Sequence, residues 1–118
     1  MESSTTRRKQ QKQKKKRLER IDAFKKELKA LAFEPIYGNS IKEIAANLTI
    51  KIQEIAEEYG YKVEFPEKAE VEIEGDIYYF SYPIKVITSA NIIKRIKILV
   101  QYMLYDEKRW IGMITDIE

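Results

Sequence analysis

At Gly60 the spacing of apolar residues changes from helical to extended, and this switch constrains the fold more than any other feature of the chain. Upstream, Ile41, Ile44, Ala45, Leu48, Ile52, Ile55, Ala56 and Tyr59 trace a wide apolar stripe along one side of a helix. Ser40 precedes Glu43 by three positions, the spacing of a capping box that satisfies free amides at a helix start. Gly60 suits the left-handed position that closes a helix. Downstream the period is two. In AEVEIEGD, Ala69, Val71 and Ile73 fall on one face and Glu70, Glu72 and Glu74 on the other, with Gly75-Asp76 as a tight turn.

The strands continue with YKVEF, which Pro66 ends, and with the aromatic-rich IYYFSYPIKVI. Pro83 has no amide to give to a ladder, so this second run is expected to bulge there or to lie at an edge. NIIKRIKILVQYMLY fits both periods. As a strand, Ile92, Ile96, Ile98, Val100, Tyr102 and Leu104 share a face with Lys94; as a helix, Ile92, Ile93, Ile96, Leu99, Val100, Met103 and Leu104 share one. β-branched content favours the strand, and length favours the helix. The sequel favours the strand too: Asp106 to Arg109 reads as a hairpin loop and WIGMITDI as a returning strand.

A first helix is expected from Arg17, with Leu18, Ile21, Phe24, Leu28 and Leu31 on one face, stopping near Phe33 because Pro35 disfavours helical geometry before it. Tyr37-Gly38-Asn39 reads as a turn. The face carrying Ile21, Phe24, Leu28 and Leu31 either packs on its own domain or forms a seam with a second copy or a protein partner. The expected fold is therefore α+β: a disordered basic N-terminal arm (1–16) and a single domain (17–118). In that domain two helices pack on one face of a four- to five-stranded antiparallel meander.

Charge is divided as sharply as periodicity. Of 118 residues, the first 30 hold 12 Lys and Arg against 4 acids, a balance of +8, while the other 88 hold 10 against 15, a balance of −5. The run RRKQQKQKKKRLER contains one acid, Glu19, and no apolar residue before Leu18. Such a segment has nothing to bury against the entropy of ordering. Its cations suit a polyanion, since they displace counterions from phosphates without a fixed geometry. Arg7, Arg8, Lys9, Lys12, Lys14, Lys15, Lys16, Arg17 and Arg20 are the expected nucleic-acid contacts, with Arg95 and Lys97 as additions on the sheet. Two other readings of the arm are a solvated tail, free or resting on the acidic domain, and a ligand for anionic lipid. The lipid reading is weakened by the absence of aromatic or apolar anchors.

Chemistry is narrowed by what is missing. The chain has no Cys and no His. Disulfides, thiolate metal sites, Cys nucleophiles and imidazole bases are excluded. The four glycines are isolated, so there is no phosphate-cradling loop. The Glu70, Glu72, Glu74 ladder spaces its carboxylates along a strand rather than around an ion, and reads as a solvated edge. Tyr78, Phe80 and Tyr82 share a strand face and would stack bases if that face were open, or fill the core if it were not. Asp76 and Lys85 resemble, in degenerate form, the strand-borne acid and lysine of restriction-type nucleases. The acid that should precede the lysine by two positions is Pro83, which cannot ligate a metal.

No apolar run approaches the roughly 18 residues that span a bilayer, and no signal-peptide core is visible. The expectation is a non-enzymatic, cytoplasmic protein without cofactor or metal, binding DNA or RNA through its arm. The alternative is a protein-interaction or assembly module: a small inhibitor, an adaptor or a structural subunit.

Overall fold

The structure, a computed structural model, describes residues 20–118. Helix α1 covers 20–30, followed by β1 (Ile36–Gly38), α2 (Ile41–Glu58), β2 (Lys62–Glu64), β3 (Glu70–Glu74), β4 (Ile77–Ile87), β5 (Ile93–Leu104) and β6 (Trp110–Ile117). All strand pairs are antiparallel, in the order β1-β6-β5-β4-β2, and β3 also pairs with β4. The α+β architecture with two helices on one sheet face is as expected. The sheet has six strands rather than four or five, because Ile36–Gly38, within and before the expected turn, pairs with Trp110–Gly112.

α2 forms where its stripe and caps place it. Ser40 is extended (φ −155°, ψ 161°), and its hydroxyl accepts from the Glu43 amide at 3.1 Å. The Glu43 carboxylate reaches back to the Asn39 amide at 2.9 Å. At the other end Gly60 takes φ +71°, the Gly60 amide donates to Glu57 and the Tyr61 amide to Ala56, so two terminal carbonyls are satisfied. Tyr61 then turns inward and is buried.

The ambiguous run is a strand. Ile96, Ile98, Val100 and Tyr102 of β5 all point to the helices and are at most 2% exposed. Lys94 shares their parity, opposite Val86, but lies at the strand's end and escapes to solvent. Tyr78, Phe80, Tyr82, Ile84 and Val86 of β4 face the same way, so the aromatic run lies on the helix side and packs, half-buried, against the core. Phe80 meets Tyr102 edge-on at 4.9 Å, and the Tyr82 and Tyr102 hydroxyls are 2.8 Å apart.

Two local irregularities have physical causes. β4 lies inside the sheet, not at its edge, yet tolerates Pro83. β3 pairs with residues 77–81 and β2 with 85–87, so the proline falls in the gap between two neighbours. In β6 a register shift opposite Leu99/Val100 leaves Thr115 as an extra residue. That bulge lets Ile114 and Ile117, three apart, both face the core.

α1 packs by the face that sequence marked for either core or partner. Phe24 and Leu28 are fully buried in the chain's own core, with Ile21 and Leu31 against them. Of the two readings of this face, packing on the chain's own domain is the one seen for Phe24 and Leu28. The helix ends at residue 30. Phe33 adopts φ +63° and its amide donates to Ile114, joining the exit of α1 to β6.

Gly112 lies close under α2, leaving no room for a side chain. A Cβ there would stand 2.7 Å from Ile44 Cγ2 and 2.9 Å from Tyr102 Cε1. Gly112→Ala should therefore cost about 1–3 kcal/mol, read from the urea midpoint. Burial also raises the Tyr102 and Tyr82 hydroxyls above the ordinary 10.0, Tyr102 strongly. A tyrosine whose folded value is raised gives full stability below its unfolded value and loses it as pH climbs past that value. Thermal stability should fall above about pH 10, and Tyr102→Phe should flatten that fall.

Candidate nucleic-acid interface

One sheet face carries the helices; among the described residues no element covers the other, here called the open face. Parity assigns Lys85, Arg95 and Lys97 to the open face, because their neighbours Ile84, Val86, Ile96 and Ile98 are buried on the helix side. Register sharpens the arrangement. Lys85 sits directly opposite Arg95, Pro83 opposite Lys97, and Glu64 of β2 opposite Lys85 on its other side. Lys62 shares the parity of Glu64. Arg95 and Lys85 are exposed, and Lys97 is half-buried.

Like charges directly opposite each other on a sheet destabilise it. The Lys85–Arg95 pair is such a pair, with Glu64 as a single acid beside it. A recess of about 330 Å³ opens there, lined by Glu64, Phe65, Pro66, Pro83, Ile84, Lys85 and Arg95. An anion in this recess would relieve the repulsion that the fold tolerates.

Arg20 stands at the same end of the sheet. Its guanidinium donates to the Tyr59 carbonyl at 2.9 Å and lies 6.0 Å from the Tyr59 ring centroid. It thus meets the C-cap of α2, where terminal carbonyls attract a cation. Tyr59 stacks on Tyr61 and meets Phe24 edge-on, while its hydroxyl donates to the Glu27 carboxylate at 2.8 Å. That hydrogen bond, with partial desolvation and the charge of Glu27, raises the Tyr59 hydroxyl above its usual value. A second recess, about 210 Å³, lies beside Arg20 and includes Ile21, Thr88, Ser89 and Lys94 in its lining.

The expected contact residues thus divide into three groups. Arg7, Arg8, Lys9, Lys12, Lys14, Lys15, Lys16 and Arg17 lie outside the described residues. Arg20 is an anchor between helices, with part of its hydrogen-bonding capacity already used. Arg95 and Lys97 lie together on the open face. Lys62 and Lys85 were not singled out as contacts from sequence. The signal was present in the alternation of KVE and YPIKVI, but it became readable only once the strand register was known.

The acids lie elsewhere on the sheet. Glu70, Glu72 and Glu74 are opposite Ser81, Tyr79 and Ile77, at the far end of β4. Asp76 lies in the turn before β4, nine positions from Lys85, roughly 30 Å along an extended strand. The nuclease-like pairing of Asp76 with Lys85 is therefore not made. Among the described residues there is no cluster of three acids able to hold a metal ion, and no helix is long and apolar enough to cross a membrane.

Compared with known proteins, the chain matches no family model, no curated sequence and no solved structure.

Arg20→Ala should lower stability by about 0.5–1.5 kcal/mol in chemical denaturation, through loss of the bond to the α2 terminus. Arg95→Ala, which removes an exposed side chain on the open face, should leave it unchanged within about 0.5 kcal/mol.

Proposed function

We propose that this is a non-enzymatic nucleic-acid-binding protein of the cytoplasm, in which the basic N-terminal segment and the basic end of the open sheet face act together. The observation that carries the reading is positional. The open-face cations Lys62, Lys85, Arg95 and Lys97, with Lys94 on the helix side of the same strand end, gather at the end where Arg20 sits, and the basic sequence enters the fold through Arg20. A polyanion held by Arg7 to Arg17 would reach this end first. Most of its affinity would come from phosphate contacts, which carry no direct sequence information. Tyr37 and Tyr105 are exposed and meet edge-on at 5.6 Å, but beyond the opposite end of β5, so stacking is not assigned a part.

The measurement is fluorescence anisotropy with labelled single-stranded DNA, duplex DNA and RNA over a range of salt. The full chain should bind with a steep salt dependence, and removal of residues 1–16 should abolish most of the affinity. Replacing Lys85, Arg95 and Lys97 together by Ala should reduce the slope of log K against log salt by about 2–3. Unchanged binding after the truncation, or none at low salt, would refute the reading.

The alternative, a protein-interaction module, draws support from a different place, the exposed apolar residues of β3.

A further inference from the structure

β3 is a strand with one vacant side. It pairs with β4 from Glu70↔Ser81 to Glu74↔Ile77, and no other described strand lies along its outer edge. Proteins usually blunt such an edge, because its unpaired backbone groups recruit other strands. Here Val71 and Ile73 are 47% and 61% exposed. They lie on the helix side of the sheet, opposite Phe80 and Tyr78, which are only half-buried. The other side of the same strand bears Glu70, Glu72 and Glu74.

The exposure follows from how the helices lie. α2 begins against Gly38 and Gly112 and ends beside β2, so it crosses the sheet from one corner to the opposite one. α1 runs from the Thr88–Lys94 end toward Ile114. Among the described residues, no helix lies over the corner formed by β3 and the start of β4.

We propose that the β3 edge is a docking site for an extended segment of another protein, one that alternates basic and apolar residues. Added as a further strand, such a segment would use the vacant backbone groups for affinity and its two faces for specificity. Its apolar residues would cover Val71 and Ile73 and extend the surface of Tyr78 and Phe80. Its lysines or arginines would stand beside Glu70, Glu72 and Glu74, where opposite charges across a ladder stabilise the pairing.

Charge and pattern select this occupant over two others. A second copy of β3 in antiparallel pairing would set glutamate beside glutamate. The chain's own Lys12, Lys14 and Lys16 have the required two-residue spacing, but Gln13 and Lys15 between them would place polar groups on Val71 and Ile73. The inference is independent of nucleic-acid binding, which is assigned to the opposite end of the sheet.

The test uses the full-length chain, isotope-labelled, titrated with synthetic peptides. One peptide alternates Lys with Val and Ile, one has the same composition in scrambled order, and one replaces each Lys by Glu. The alternating peptide should bind at least about tenfold tighter than the scrambled one, with amide shifts concentrated in β3 and the first half of β4. The triple variant Glu70→Lys, Glu72→Lys, Glu74→Lys should lose this peptide and bind the Glu peptide instead. Val71→Ser with Ile73→Ser, which keeps every charge, should weaken binding by about tenfold. Equal binding of alternating and scrambled peptides, shifts centred elsewhere, or no binding would overturn the proposal.

Discussion

Everything in this fold depends on the burial of one helical stripe against one sheet. Ile44, Leu48, Ile52 and Ala56 of α2 are at most 4% exposed, and they meet the inward residues of the strands across a contact close enough to require glycine at 112. Interiors packed to this density transmit small changes in volume. The long β4–β5 hairpin supplies most of the receiving surface, and α1 closes one further corner with Phe24 and Leu28. A second stabilising element, the Tyr82–Tyr102 hydroxyl pair, gives two polar atoms a partner inside an otherwise apolar layer.

The same packing sets where function can be. Two helices cannot cover all four corners of a sheet whose central strands are 11 and 12 residues long. The corner they leave is that of β3, with its exposed Val71 and Ile73. The face they leave carries cations at one end and carboxylates at the other. The chain therefore presents two chemically distinct surfaces on one sheet. One suits phosphate and the other suits a basic, partly apolar strand.

Much of this was legible in the residues. The α2 stripe, its Ser40 and Gly60 ends, the Gly75 turn and the Asp106–Arg109 hairpin all follow from local rules, because each is decided by groups a few positions apart. The aromatic run was less legible. Tyr78, Phe80 and Tyr82 alternate cleanly, but alternation says only that they share a face, not which face. β1 was missed because three residues carry too little pattern to distinguish a strand from a turn, and pairing with Trp110–Gly112 decided the matter.

The sequence by itself determined the segregation of helix from strand at Gly60, the segregation of charge between the N-terminal segment and the rest, and the exclusion of Cys and His chemistry. These are properties of residue identity and near-neighbour spacing. Only the tertiary structure decided that Ile93–Leu104 is a strand, that Pro83 can sit inside the sheet, and that Lys85 meets Arg95 on the open face. It also decided that Phe24 and Leu28 of α1 are spent on the core, and that no described element covers β3. Each of these depends on which distant segment lies alongside, and periodicity within a segment contains no information about its neighbour.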